Sequence, residues 1–385
     1  MPRGLRSLTT PVKQAWVQPG NEPRVIRGIT YLLLAFGLAA VFSASTVQSL
    51  NTYGNAWTIF LKQLIFAVLG VFVMRVADRV PLLTLRRLAP ASVAVVLVLL
   101  MAVLVIGATI NGQKNWIPLG PVTMQPSEFA KLAFVIFAAE RAATLSQRTR
   151  DPLRIGAPIL MVACLMMALV VLEKDMGNVL VMAGILLAIL FTIGYPARRL
   201  GALALGGLVI VALALKFGSQ YRLARILNWL NPYADPQGLG WQWIHGNYAM
   251  AVGGFLGQGP GASKEKWGAL PEAHTDFILA VIGEEYGFVG TCITIGLLLA
   301  VLILLIRVAL RLGDDPFRQV IMVGVAAWLF MQSAFNIGAV VGLLPIVGVT
   351  LPLVSYGGSS LLPLLVALGI VIRCLREPQQ GEVRA

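Results

Sequence analysis

Apolar runs of about 20 residues recur from one end of this 385-residue chain to the other, and each is long enough to cross the hydrocarbon core of a bilayer as a helix. Lipid offers no hydrogen bonds to the backbone, so a run of this kind must satisfy its own peptide groups, which a helix does. The runs fall at 26–47, 57–77, 88–109, 126–145, 157–173, 177–194, 201–217, 276–306, 319–344 and 357–374. Charge agrees: only 12% of the residues are charged, where a soluble domain carries about 25%. The predicted fold class is all-α, a polytopic membrane protein with about ten transmembrane helices and one large extracytoplasmic loop. Its predicted organisation is a tail at 1–25, a single membrane domain at 26–375 that includes the loop 218–275, and a tail at 376–385. The first run is too long for the apolar core of a cleavable signal peptide. Cys164, Cys292 and Cys374 all lie in apolar runs and suggest neither a disulfide framework nor a metal site.

Charge also sets the expected orientation. With the N-terminus placed in the cytoplasm, 21 of the 30 Lys and Arg and 8 of the 17 acids fall on the cytoplasmic side, so that side carries the whole net charge of +13. The excess of Lys and Arg on the inner side then predicts that both termini are cytoplasmic and that 218–275 is outside. Anionic lipid headgroups account for the basic balance, and no nucleic acid is implied.

Two outer connections are long. Ile110–Gln125 is rich in Gly, Pro and Trp, and 218–275 holds four of the eight tryptophans, Trp229, Trp241, Trp243 and Trp267. The opening of the second, YRLARILNWL, carries Leu223, Ile226, Leu227 and Leu230 at helical spacing beside Arg222 and Arg225, a pattern for a short helix in the membrane interface.

Ionisable residues inside apolar runs are costly and call for a reason. Lys131 lies about 7–8 Å past Pro126 along a helix. It either pairs with Glu128, three residues back on the same face, or faces a polar cavity. Ser127 and Glu128 also suit a helix start. Glu173-Lys174-Asp175 is either a solvated hairpin tip or part of an outer vestibule. Gly253–Lys266 lacks the spacing of a phosphate loop. Trp267–Gly290 places Glu272, His274 and Asp276 immediately before an apolar run. Asp276 or Thr275 caps that helix, and the helix N-terminus favours an ionised carboxylate ready to accept a proton. Glu284 and Glu285 fall about 12–13 Å deeper and are expected in buried hydrogen bonds or paired with Lys62 or Lys131. Leu343–Leu362 interrupts apolar sequence with Pro345, Pro352, Gly357 and Gly358. Irregular backbone at that depth must be buried in protein or line a cavity, so the segment is expected to dip back and wall the outer cavity, with Ser355, Tyr356, Ser359 and Ser360 as hydrogen-bonding groups. No Ser/His/Asp nucleophile arrangement and no His/Cys metal spacing is present.

Taken together and in order, NWIPLGPVTMQPSEFAKL (115–132), EKDMGN (173–178), YRLAR (221–225), LPEAHTDFILAVIGEE (270–285) and GLLPIVGVTLPLVSYGGSSL (342–361) resemble the SEDS family of cell-wall proteins over residues 25–375. The wording LPEAHTDF is similar to the division branch rather than the elongation branch. The resemblance implies an inverting glycosyltransferase of the bacterial cytoplasmic membrane that polymerises lipid II into glycan strands at the division septum. Its implied partners are a class B penicillin-binding protein transpeptidase and other divisome membrane proteins. The family's essential acid falls on Asp276 and its QPSE-x-x-K lysine on Lys131. The substrate-binding set is expected to be Lys114, Trp116, Ser127, Glu128, Lys131, Asp175, Arg222, Arg225, Glu272, His274, Ser355 and Ser359. Two departures stand out. Asn115 occupies the position where the family carries Arg before the tryptophan, and Lys174-Asp175-Met176-Gly177-Asn178 replaces P-D-x-G-T.

In that reaction Asp276 would take the proton of the GlcNAc 4-hydroxyl. Lys114, Lys131, Arg222 and Arg225 would balance the leaving pyrophosphate. Apolar grooves between helices would hold the polyprenyl tails. The sequence requires no cofactor. A divalent cation, Mg or Mn, at the pyrophosphate is an option for which no ligand cluster speaks. A lipid II flippase and a non-catalytic division scaffold are the rival readings. The flippase predicts polar groups through the full bilayer depth, and the scaffold leaves the buried charges without a role.

Overall fold

The structure, a computed structural model, describes residues 20–110, 112–120, 122–216, 224 and 227–377. Among these residues the apolar runs form ten long helices: α1 (Glu22–Tyr53), α2 (Thr58–Ala77), α3 (Leu82–Ile106), α4 (Pro126–Ser146), α5 (Pro152–Leu172), α6 (Met176–Thr192), α7 (Ala197–Lys216), α9 (Ile278–Arg311), α10 (Pro316–Val340) and α11 (Gly358–Arg376). A shorter helix, α8 (Trp241–Gly253), stands between α7 and α9. Seven of them (α1, α2, α3, α5, α9, α10 and α11) are long and apolar enough to cross a membrane, and α6 is a shorter apolar helix. α4 carries Glu128, Lys131 and Glu140, all buried. It sits at the centre with α10 and α11, while α2 and α3 turn Ile65, Val68, Phe72, Val95, Val98 and Val105 outward. Exposed apolar side chains are what a lipid-facing helix presents, because lipid tails are as apolar as the side chains themselves.

Short connections between successive helices make them antiparallel neighbours. One end of the bundle therefore carries the N-terminal end of α1 and the C-terminal end of α11 (the termini face), and the other carries the long connections (the loop face). On the termini face Asp78 accepts from both Arg27 and Arg376, each at 2.8 Å, tying α1, α2 and α11 together.

On the loop face the first long connection is not irregular. Ala108–Ile110 (β1), Gln113–Leu119 (β2) and Val122–Met124 (β3) form an antiparallel sheet in the order β1-β2-β3. Ala108 stands opposite Trp116, and Ile117 opposite Met124. The turns at Gly112 and Gly120 have positive φ, which glycine adopts without a steric penalty. The second connection contains α8, whose buried side is Ile244, Gly246, Ala249 and Gly253. Nothing in the periodicity of WQWIHGNYAMAVG announced this helix. The interfacial helix expected around Arg222 and Arg225 lies mostly outside the described residues, although 227–230 is helical.

α9 is broken at Gly287 (φ 67°, ψ −164°). The freed peptide groups are taken by the segment after α8: Phe288 N donates to Gly254 O (2.9 Å), Gln258 N to Glu284 O (2.9 Å) and Gly259 N to Glu285 O (3.0 Å). A broken helix at membrane depth persists only with such replacement partners. Gly257 approaches so closely that a Cβ there would collide with the Glu285 carbonyl, and its φ is +84°. Gly257→Ala is therefore expected to destabilise the protein by about 1–3 kcal/mol, read as a lower Tm in detergent. An unchanged Tm would show that this docking does not support the fold.

Between α10 and α11 the chain runs irregularly through 341–357. Leu351, Leu353 and Val354 are buried. Gln63 of α2 donates to Ser355 O and accepts from Gly357 N, while Asn336 of α10 donates to Val349 O. The interruption is thus held inside protein, as the backbone argument required.

Candidate active site

Asp276 lies two residues ahead of α9, half-buried, at the loop face. Its backbone carbonyl accepts from Asn336 Nδ2 at 2.8 Å. Its carboxylate lies under the irregular segment, where a Cβ on Gly348 would stand 3.6 Å from Asp276 Oδ2. The residue at the helix cap is Phe277, and no side chain caps α9, so neither Thr275 nor Asp276 takes the capping role considered from sequence. Glu272, at φ 52°, accepts from Thr275 Oγ1 at 2.6 Å and thereby shapes the turn that leads into Asp276. His274 is buried, its carbonyl accepts from Tyr356 N at 2.9 Å, and its ring lies 5.2 Å from the Tyr356 ring. Burial holds the His274 pKa below the usual imidazole range, with Glu272 pulling the other way, so the ring is neutral at pH 7.

A second polar group joins the N-terminal ends of α4 and α6. Asp175 Oδ2 accepts from Gln125 Nε2 (2.7 Å), Asn178 Nδ2 (3.0 Å), Asn115 Nδ2 (3.1 Å) and Ser127 Oγ (3.1 Å), and Oδ1 accepts from Asn178 N (3.2 Å). Donors on both oxygens fix the orientation of this carboxylate. Lys131 is wholly buried below it: Nζ lies 2.7 Å from Glu128 Oε2, donates to Asn178 Oδ1 at 2.8 Å and stands 5.1 Å from the centre of the Trp328 ring. Of the two options for Lys131, the structure has the ion pair with Glu128, joined to the polar network of α6 through Asn178, and the ammonium is wholly buried. Trp328 and Asn336 are eight residues apart on α10, which sets Lys131 about 12 Å below the level of Asp276.

Ser359 ties this group to the start of α11, donating to Thr123 O (2.9 Å) and accepting from Gln125 N (3.3 Å). Ser355 accepts from Leu351 N at 2.9 Å and shapes the irregular segment. Lys114 caps α3, donating to Leu104 O (2.7 Å) and Val105 O (3.1 Å). Trp116 is half-buried on β2. Arg222 and Arg225 lie outside the described residues. Glu284 and Glu285 pair with neither Lys62 nor Lys131. Glu284 accepts from Ser263 Oγ (2.6 Å) and Lys264 N (2.7 Å), and Glu285 accepts from Ser43 Oγ (2.5 Å) and Lys266 Nζ (2.9 Å). They hold the loop 253–266 to the broken helix.

Lys174 alone behaves as a solvated hairpin tip, exposed at φ 66°, whereas Glu173 is fully buried with neither carboxylate oxygen hydrogen-bonded. Burial, reinforced by the charge on Asp175, pushes the Glu173 pKa up to about 8. The folded protein then holds a proton that the unfolded chain, titrating near 4.5, has released. The stability this proton confers is complete below the unfolded pKa and is lost as pH rises through the folded one. Glu173→Gln is expected to remove that slope and raise the Tm at pH 8 more than at pH 5. Equal shifts at both pH values would show that Glu173 is ionised in the fold.

The sequence assigned no role to Gln63, Gln125, Asn336 and Lys266, and marked Asn115 and Asn178 only as departures from the family pattern. Most are neutral amides whose role exists only across helices. Gln125, directly before the PSEFAK stretch, is the one with a local signal. Among the described residues no group of three or more His, Cys, Asp or Glu is placed to hold a metal ion.

Residues 23–380 match the FtsW/RodA/SpoVE family of cell cycle proteins. The chain belongs to the FtsW/RodA/SpoVE family. Among its FtsW relatives, the probable peptidoglycan glycosyltransferase FtsW of Trichlorobacter lovleyi is 38% identical over 344 residues, covering 88% of this chain and 89% of that protein. The protein of the same name from Mycobacterium tuberculosis is 37% identical over 369 residues, covering 95% and 70%. Stage V sporulation protein E of Bacillus subtilis is 35% identical over 353 residues, covering 90% and 95%. Among solved structures, a chain described under structural coordination of polymerization and crosslinking by a peptidoglycan synthase complex superposes with a TM-score of 0.71 at 29% identity, covering 91% of this chain and 96% of that one. The rod shape determining protein RodA of Thermus thermophilus superposes with a TM-score of 0.65 at 28% identity, covering 91% and 95%. The family match, over residues 23–380, includes both long connections and the Asp276 segment.

Proposed function

We propose that this FtsW/RodA/SpoVE protein is a peptidoglycan glycosyltransferase in which Asp276 is the general base. The observation that carries the reading is the position of Asp276: a half-buried carboxylate at the loop face, held by Asn336 through its own backbone and overhung by Gly348. A GlcNAc 4-hydroxyl of lipid II, placed against that carboxylate, gives up its proton to Asp276 as its oxygen attacks the anomeric carbon of the growing strand. The bond from that carbon to the pyrophosphate oxygen breaks, the electron pair leaves with undecaprenyl pyrophosphate, and attack from the opposite side inverts the centre. The N-terminal ends of α4, α6 and α11, joined through Gln125, Ser127, Asp175 and Ser359, direct positive helix ends toward the anionic headgroup.

The polar groups of the candidate site lie toward the loop face, which supports catalysis at one surface over a flippase path through the bilayer. The full protein, reconstituted with labelled lipid II and a class B penicillin-binding protein as its transpeptidase partner, is expected to yield glycan strands. Lipid II moved across the bilayer without strand formation would favour the flippase.

The loop face is assigned to the outside of the cytoplasmic membrane, with both termini inside and the protein at the division septum. Ala262 is exposed, so Ala262→Cys in a background lacking the native cysteines should react with an impermeant maleimide in intact spheroplasts. Reaction only after lysis would reverse the orientation. Ser263, next to it, is buried against Glu284 and would not report.

A further inference from the structure

Beside Asp276 the loop face carries a cavity of about 390 Å³ that the reaction above leaves unused. Its size falls within the range of about 300–1,000 Å³ that small-molecule sites occupy. Its wall includes Pro271 and Ile346. Pro271 belongs to the segment that ends in Asp276, and Ile346 to the irregular segment whose Gly348 overhangs the carboxylate. The cavity therefore shares two of its lining segments with the candidate active site.

The remaining lining is aromatic and neutral. It includes Trp229, Trp241 and Trp243 with Asn228, Gln237 and Gln242, and among the described residues no charged side chain contributes. The indoles are held in place: Trp229 Nε1 donates to Gly342 O (3.0 Å), Trp241 Nε1 donates to Ala269 O (2.5 Å), and the Trp243 ring lies against Gly342, where it would meet any added Cβ at 2.7 Å. Asn228 and Gln237, by contrast, make no hydrogen bond among the described residues. A pyrophosphate or an acidic peptide would call for Lys or Arg, and an acyl tail would have no use for amides. Fixed flat rings with free amide donors and acceptors suit a neutral ligand that has an apolar face and a rim of hydroxyl and acetamido groups.

We propose that this cavity binds uncharged N-acetylhexosamine units of the strand already made, holding the strand between successive additions. This rests on the glycosyltransferase reading, and it adds a subsite away from the reacting carbon. A C–H face of the sugar would lie on an indole, and the Asn228 and Gln237 amides would pair with acetamido and hydroxyl groups.

The probe is chitotetraose, titrated into the purified full-length protein while tryptophan emission is followed, with cellotetraose, which lacks the acetamido groups, as comparison. A saturable response to chitotetraose that exceeds the response to cellotetraose is expected. The double variant Asn228→Ala/Gln237→Ala removes two neutral hydrogen bonds and should weaken binding roughly tenfold, and should shift lipid II products toward shorter strands. No saturable response, or an unchanged affinity in the double variant, overturns the subsite. So does a variant that keeps its chitotetraose affinity but no longer co-purifies with the transpeptidase, which would make the cavity a protein-docking surface. The binding arm needs no catalysis. Wild-type protein that binds chitotetraose yet never polymerises lipid II upholds the cavity and overturns the catalytic reading, while active protein silent to chitotetraose overturns the cavity alone.

Discussion

Asp276→Asn is expected to lower lipid II polymerisation by about 10²–10⁴-fold, the contribution of a positioned general base, with little change in Tm. The substitution is nearly isosteric. The backbone contact that fixes the segment, Asn336 Nδ2 to the residue 276 carbonyl, does not involve the side chain, and α9 has no side-chain cap to lose. The asparagine keeps the side-chain volume and the backbone contact with Asn336, and removes the negative charge and with it the capacity to take a proton. The assay is strand length and yield from labelled lipid II, with Tm and detergent-solubilised yield measured on the same preparation. Strands of normal amount from a stable Asp276→Asn protein would remove Asp276 from the reaction. Loss of activity together with loss of folded protein would show a structural role instead.

Lys131→Met should be the most damaging single change to stability. The ammonium is wholly buried with Glu128 at 2.7 Å and Asn178 at 2.8 Å, and removing one member of a buried pair costs about 3–5 kcal/mol because the other charge is stranded. Adding Glu128→Gln removes that stranded charge, and the double variant is expected to recover most of the lost Tm. A double variant no more stable than Lys131→Met would show that the lysine supports the fold through Asn178 and Trp328 rather than through Glu128. Polymerisation by the stable double variant then decides its role in the reaction. Activity that stays lost assigns Lys131 to the substrate, and activity that returns leaves it a member of the scaffold.

The order and number of long helices were legible because each had to declare itself as a continuous apolar run, a demand the bilayer imposes locally. The pairing of Glu128 with Lys131 was legible for a related reason: three residues on a helix fix two side chains on one face whatever surrounds them. The same local logic marked the interruption in 343–362, which is irregular up to 357 and becomes α11 from Gly358. It failed where a polar group finds its partner through chain that folds back from elsewhere. Glu284 and Glu285 were certain to need partners, but only the docking of 253–266 into the break at Gly287 supplied Ser263 and Lys266, and only the packing of α1 against α9 supplied Ser43. Lys114, in a stretch rich in turn residues, offered itself as a cation for the substrate. The sheet β1-β2-β3 instead carries its amine back onto the last carbonyls of α3. Glu173 and Asp175 are acids two residues apart, yet the fold gave the Asp175 carboxylate five hydrogen bonds, three of them from β2 and the start of α4, and the Glu173 carboxylate none. The sequence by itself determined that this is a helical membrane bundle with acids gathered before and within one helix. The tertiary structure alone decided which of those acids are tied into the fold, because a buried charge is set by the donors that converge on it from several helices, and that convergence has no period along the chain.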